Sequence, residues 1–448
     1  MNEHRLARVG PVKLHDLERM AAQGYPWEEW DLLRRESPVH WYDHEDVEPF
    51  WAITKHADVL ELSKRSDIFI NGGPRLRFTL KGQTEQLRFL DPYGEEQGWD
   101  PSEPSDFVFM DDPRHRKMRS IASRAFTPGR LQKSEPHFLR LAEAFAAEFE
   151  RGLAQGPQDF VRDYAVKLPL AAIGEMFSLP PDDWRQILAW TDAINGDFGD
   201  GFRREGERAG EAKVRALKEF RGYLRELVEH RRNETQTGRS LLDQVIAGRV
   251  DGVPLTEQQL NGYLVLLIAA GNETTRTATT GGLLALLEHP EQLRRLCDKP
   301  ELLDSAIEEI LRWTSPVYHF FRTATEEYEL RGMKIRAGDT VGLFYPSANR
   351  DEEVFNDAYR FDIERDPNPH LAFGGYGAHF CLGANLARAE LRASFKSLLP
   401  LLPKLKLAGP PVRNPHLHAP GYRSLAVALK SVDMGGHSGF GGASAADH

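Results

Sequence analysis

A long helical run between two firm punctuation marks sets the scale of this chain. Thr256-Glu-Gln-Gln259 has the form of a capping box, in which the Thr256 hydroxyl accepts the Gln259 amide and the Gln259 side chain returns the bond. Helical periodicity then continues to about Glu288, where His289-Pro290 ends it. At about 1.5 Å per residue this spans roughly 50 Å, enough to cross a whole domain. Its apolar middle, Tyr263–Ala270 (YLVLLIAA), is far shorter than a membrane span. Such a helix is expected to be the central beam of a mainly helical domain.

The beam carries an irregular stretch, Ala269-Ala270-Gly271-Asn272-Glu273-Thr274-Thr275. Gly271 costs about 1 kcal/mol relative to alanine inside a helix. Glu273 puts a charge where the surroundings read as buried, and Thr274 can bond back to the carbonyl of Ala270. A solvent-facing turn accounts for an isolated pattern of this kind. The alternative is a loosened turn in which small residues admit a flat ligand and a hydroxyl and a carboxylate move protons.

Helical spacing dominates from Pro113 to about Glu288, and two more helices follow, EQLRRLC and ELLDSAIEEILRW. Strands are few: PVHWYD (38–43) with FWAIT (50–54), and two or three within 326–345, joined at Arg331-Gly332 and Ala337-Gly338-Asp339. The fold class is therefore mainly α with a small β subregion. Residues 71–106 contain no convincing periodic element and read as a substrate-side loop or lid. Residues 1–432 are expected to form one domain, and the Gly/Ser-rich tail 433–448 to be disordered.

Composition excludes several classes. A net charge of −10 argues against a nucleic-acid binder. The two cysteines, Cys297 and Cys381, stand in no zinc spacing and suit a reducing cytoplasm. The N-terminal stretch has no apolar core of signal-peptide length, so a soluble cytoplasmic protein without membrane insertion is expected.

Cys381 sits in FGGYGAHFCLG (373–383), directly before another helix, LGANLARAELRASFKSLL. A tight turn would by itself explain the glycines. Upstream, His115 and Arg119 share a helix face. Arg322 follows an apolar run, and His379 stands two residues before Cys381. Together the four would suit a ligand with two carboxylates. Glu309 and Arg312 form either a surface pair or a buried one held by a third group, for which Arg365 is a candidate.

Taken in order, these stretches resemble the cytochrome P450 family of haem-thiolate monooxygenases, from about residue 35 to 430. His115 and Arg119 resemble its HxxxR segment, and Ala270–Thr274 its acid–alcohol motif. Glu309–Arg312 resembles ExxR, and Phe373–Gly383 the cysteine-ligand loop. Phe373 lies eight residues before Cys381 where the commonest bacterial pattern has seven. That variant is similar to loops of members that oxidise sterols, branched lipids and terpenoids.

The resemblance implies a long central helix over haem b and a set of roles. Cys381 would be the iron ligand, with Phe373 and Gly383 beside it. His115, Arg119, Arg322 and His379 would hold the propionates. Glu273 and Thr274 would deliver protons for O2 activation, and Glu309, Arg312 and Arg365 would be structural. The pocket would be walled by Leu266, Ala269, Ala270, Val317, Tyr318 and His319, the last two either anchoring a polar group or simply packing. The substrate would be an apolar steroid, terpenoid or fatty-acid-like molecule. No flavin or ferredoxin domain fits the length, so electrons would come from an external ferredoxin and ferredoxin reductase. Arg388, Arg392 and Lys396 form a stripe that would dock the ferredoxin. The rivals are a haem sensor or carrier without turnover, a peroxide-driven peroxygenase, and a haem-free interaction protein.

Overall fold

The central helix, Glu257–Glu288, starts at the expected capping box. Gln259 N–H donates to Thr256 Oγ1 at 3.2 Å, and Thr256 N–H donates to Gln259 Oε1 at 3.1 Å. The computed structural model describes residues 12–78, 80–81, 92–199, 201–234 and 240–430. The tail 433–448, the chain before residue 12 and part of 71–106 lie outside these.

Much of the central helix is buried on every face, because other helices surround it. Two apolar clusters share it. Leu260, Tyr263, Leu264, Leu267 and Ile268 pack with Met118, Phe220 and Leu224. Ala278, Leu283, Leu284 and Leu286 pack with Ile310, Leu391 and Phe395. Residues 269–277 belong to neither cluster. The irregular stretch therefore lies where the apolar core is interrupted.

The small β portion is a five-stranded sheet built from β1 (Val39–His44), β2 (Val47–Ile53), β3 (Phe69–Ile70), β4 (His319–Ala324) and β5 (Thr340–Phe344). Their order is β1-β2-β5-β4-β3. The first pair has Val39 opposite Ile53 and Tyr42 opposite Phe50, as the alternation of apolar residues predicts. A hairpin, Tyr328–Leu330 with Met333–Ile335, turns at Arg331 and Gly332, both at positive φ (50° and 76°). β5 runs parallel to β2 and antiparallel to β4, whose Arg322 faces Val341.

The described part of 71–106 is fastened to the sheet near residue 77. Leu76 and Phe78 are 3% and 8% exposed. Leu76 O accepts Phe321 N–H at 2.8 Å, and Phe78 N–H donates to His319 Nε2 at 2.7 Å. Two apolar residues at alternate positions suffice to fasten the segment to β4, although they are too few to register as periodicity. Pro92–Glu96 adds a short helix. Among the described residues no helix is long and apolar enough to cross a membrane.

Gly262 marks the tightest approach to the central helix, since a Cβ there would lie 1.7 Å from Ser105 O. In an open helix Gly→Ala gains about 1 kcal/mol. Here Gly262→Ala is expected to lower the thermal midpoint, with an overpacking cost of about 1–3 kcal/mol. An unchanged or raised midpoint would contradict the close approach.

Candidate active site

The cysteine loop is built from tight turns. Gly374 N–H donates to Leu371 O, Phe380 N–H to Gly377 O and Cys381 N–H to Phe373 O, each at 3.0 Å. Gly374 and Tyr376 adopt positive φ (91° and 57°), which accommodates the extra residue before the cysteine. A Cβ on Gly377 would lie 1.7 Å from Ser63 O, so the loop presses directly on the helix His56–Lys64. The Cys381 side chain is exposed by area although protein surrounds it, so it faces internal space. Burial pushes its thiol pKa up, while the Gly383 N–H, Arg119 and Arg388 pull in the opposite sense. Gly383 caps the helix Ala384–Leu398, and the Arg388 guanidinium lies 4.6 Å from the centre of the Phe373 ring.

Four basic side chains converge beside this loop. The His115 and His379 ring centroids are 3.9 Å apart, and Arg119 Nη2 donates to Phe380 O at 2.6 Å. Arg322 Nη1 donates to Phe321 O at 2.8 Å, and the guanidinium also bonds the Tyr345 hydroxyl. Burial, reinforced by Arg322, His115 and Arg119, holds the His379 pKa down to about 2. Burial and then Arg119 lower that of His115. His115 Nε2 is buried without a partner, and Nδ1 lies 3.7 Å from Asp112. The arrangement is a cluster of donors short of negative charge.

In the central helix, Thr274 Oγ1 donates to Ala270 O at 3.1 Å, as the sequence suggested. The buried Glu273 carboxylate is held by Arg276, which also reaches Asp192 at 3.1 Å, and Glu273 Oε1 has no partner. Burial pushes Asp192 up to about 6 against the pull of Arg276. Gly271 makes room for Ile173, 3.0 Å from a Cβ there, whereas Ala270 is exposed within an otherwise packed helix.

Glu309 and Arg312 are both fully buried and joined at 2.7 Å by two hydrogen bonds. The structure brings Arg365 to Glu309 at 3.3 Å and adds Asn368 at 3.1 Å and the Asp362 N–H at 2.8 Å. Arg312 also donates to the carbonyls of Asn349 and Ala358, each at 2.8 Å.

The family model described as Cytochrome P450 matches residues 65–402. The chain belongs to the cytochrome P450 family. It is similar to the methyl-branched lipid omega-hydroxylase of Mycobacterium tuberculosis (strain ATCC 25618 / H37Rv), with 38% identity over 388 residues, 85% of this chain and 86% of that protein. The steroid C26-monooxygenase of Mycolicibacterium smegmatis is 35% identical over 405 residues, 89% and 88% of the two chains. A Mycobacterium marinum cytochrome P450 solved in complex with pseudoionone superposes with a TM-score of 0.81 at 32% identity, covering 94% of this chain and 100% of that one. This P450 is a haem-dependent monooxygenase that uses O2 and a lipophilic substrate, and the family binds haem b through a cysteine thiolate.

The residues fit that cofactor. Cys381 is exposed beside the basic cluster, His115 Nε2 is buried without a hydrogen-bond partner, and Ala270 is exposed in mid-helix. Leu266, Ala269 and Val317 are half-buried, consistent with a wall. Of the two alternatives for Tyr318, the structure shows packing: its side chain is fully buried in the N-terminal core, donates to Leu14 O at 2.8 Å and stacks on Tyr25. His319 is also fully buried, with Nε2 taken by Phe78.

The basic stripe has acidic partners within the chain. Arg388 binds Glu308 at 2.7 and 2.8 Å, and Arg392 binds Asp304 and Glu135 at 2.7 and 2.8 Å. Of the three, Lys396 is the exposed one. The partners come from distant segments, which helix spacing does not reveal. Arg276, Asp192, Tyr345 and Asn368 went unnoticed in the sequence. Arg276 had a visible signal, three residues after Glu273 on one face.

Glu309→Ala is expected to destabilise the protein by about 3–5 kcal/mol, because it strands the buried Arg312 charge. Urea unfolding measures this. A loss below about 1 kcal/mol would mean that the network is redundant.

Proposed function

We propose that Cys381 is the thiolate ligand of the haem and that His115, Arg119, Arg322 and His379 hold its propionates. The observation that carries this reading is the open thiol surface of Cys381 beside four converging basic side chains. Phe373 and Gly383 shape the sulfur's surroundings, the latter through its amide N–H. Glu309, Arg312 and Arg365 hold the adjoining chain in place. The haem, when bound, supplies the O2 activation that inserts one oxygen atom into a C–H bond. Thr274 places a hydroxyl on the Ala270 turn, and Glu273 holds a carboxylate one residue earlier for proton transfer.

The substrate class we propose is a hydrocarbon-rich lipid, steroid or terpenoid. Relatives named for hydroxylating a methyl-branched lipid and a steroid support it, as does the half-buried apolar wall of Leu266, Ala269 and Val317. Electrons are proposed to arrive from an external ferredoxin and its reductase. Two cysteines in the chain are too few for a four-cysteine iron–sulfur cluster. A single domain working in the cytoplasm completes the proposal.

The reduced, carbon monoxide-treated protein is expected to show the strongly red-shifted Soret band of a thiolate complex, lost in Cys381→Ser. A band unaffected by that substitution would remove Cys381 from the role. Glu273→Gln is expected to lower kcat about 10²-fold with the carbon monoxide spectrum unchanged. Undiminished turnover would take Glu273 out of the proton path.

A further inference from the structure

The turn between β1 and β2 gathers two histidines and a carboxylate that the haem chemistry does not use. β1 is irregular at its end, where the register shifts between Tyr42 and His44 before His44 pairs with Val47. Tyr42 and His44 share a face of the strand, with ring centroids 6.4 Å apart and planes within 10°. His15 is laid on that face. Its ring meets that of His44 edge-on at 4.5 Å and lies 5.7 Å from the ring of Phe78. The preceding residue fixes it there: Leu14 N–H donates to Tyr42 Oη at 3.2 Å, and Leu14 O accepts the Tyr318 hydroxyl at 2.8 Å. Asp46 follows in the turn, where its N–H donates to His44 Nδ1 at 3.2 Å and its O accepts Lys81 N–H at 2.8 Å. Three separate stretches of chain hold this corner.

The donor atoms converge. Asp46 Oδ2 lies 3.4 Å from His44 Nδ1 and 3.6 Å from His15 Nε2, and the donors of all three residues fall within 4.8 Å of one another. Zinc–ligand bonds of about 2.0–2.1 Å arranged as a tetrahedron separate neighbouring donors by about 3.4 Å. His15 is 6% exposed, and its Nε2 is buried without a hydrogen-bond partner, since 3.6 Å to Asp46 is too long for one. An unmatched imidazole nitrogen out of water is costly. The other nitrogen, Nδ1, is 2.6 Å from Tyr42 Oη. The Tyr42 oxygen has lone pairs for both Leu14 N–H and His15 Nδ1–H, and a proton on Nδ1 leaves the Nε2 lone pair to a cation. Asp46 is the solvent-facing member, with 56% of its side chain exposed, so one side of the group is open to water. Lys13, two residues before His15, is paired with Asp16 at 3.9 Å.

We propose that His15 Nε2, His44 Nδ1 and Asp46 Oδ2 form a site for zinc or a similar late first-row divalent ion, with water completing the shell. Two imidazoles and one carboxylate favour such an ion over magnesium or calcium, which prefer oxygen donors. The ion satisfies the buried Nε2 and takes the His44 Nδ1 lone pair, leaving the Asp46 N–H to water at the exposed turn. Its role is structural. It ties the chain ahead of the helix Leu17–Gln23 to the β1–β2 turn, against which Phe78 and Lys81 rest. The site shares no residue with the proposed haem site.

The test uses the haem-loaded full chain, cleared of loosely held ions with EDTA and titrated calorimetrically with zinc chloride. About one ion per chain is expected to bind, with a Kd of about 1 μM or tighter. Asp46→Asn and His44→Gln each remove a ligand at the exposed rim, where the fold tolerates the change, and each should weaken zinc about tenfold or more. Zinc should raise the thermal midpoint of the parent and leave that of Asp46→Asn unmoved. The carbon monoxide spectrum should be the same with and without zinc. Absence of zinc binding by the parent would overturn the proposal, and so would magnesium binding as tightly as zinc. Binding or a midpoint shift that survives both substitutions would place the ion on other histidines, and a zinc-dependent spectrum would place it at the haem. Either result overturns the site.

Discussion

A single helix must carry two apolar clusters and still leave its middle turn free of both. Leu260–Ile268 is committed to one cluster and Ala278–Leu286 to the other. The stretch between belongs to neither cluster, so polar residues are tolerated there only where they find partners of their own. Arg276 meets this requirement for Glu273 and recruits Asp192 from another helix. Gly271 gives its space to Ile173, and Ala270 keeps its space open. The gap in the core and the site are the same feature, viewed first as packing and then as chemistry.

The position of Cys381 follows from a second constraint, the burial of Glu309 with Arg312. Such a pair contributes little by itself, because desolvation offsets the attraction, yet its remaining hydrogen bonds must all be met. They are met by irregular chain: the carbonyls of Asn349, Ala358 and Arg360, the Asp362 amide and the Asn368 side chain. Asn349 then accepts the Leu371 N–H at 2.7 Å, and Leu371 O accepts Gly374 N–H. His370 and Arg388 grip Glu308 from the two sides of the cysteine loop. The loop therefore inherits its geometry from a charge pair well upstream in sequence.

What could be read from the sequence was local. The capping box, the Thr274 back-bond, the first strand pair and the Arg331-Gly332 turn each depend on residues a few positions apart. Within the motifs, His115 meets His379 two residues before Cys381, and Glu309 pairs with Arg312. What escaped depends on distant partners. Arg388 and Arg392 form a clean stripe on a helix, but Glu308, Asp304 and Glu135 arrive from elsewhere to neutralise them. Tyr318 reads equally as a polar anchor or a packing residue until the chain near Leu14 and Tyr25 folds over it. Asp192 carries no local mark of its partnership with Arg276.

The separation of charge inside the molecule is a further consequence of these pairings. The chain is acidic overall, yet the side chains gathered beside the cysteine loop are basic, and the central helix buries the carboxylate of Glu273. In a poorly solvated interior an unpaired carboxylate is costly and its field is weakly screened. Arg276 pairs with Glu273 in place and also reaches Asp192 on another helix. The charge on the central helix is thereby met locally, so the basic side chains beside Cys381 are not needed to satisfy it.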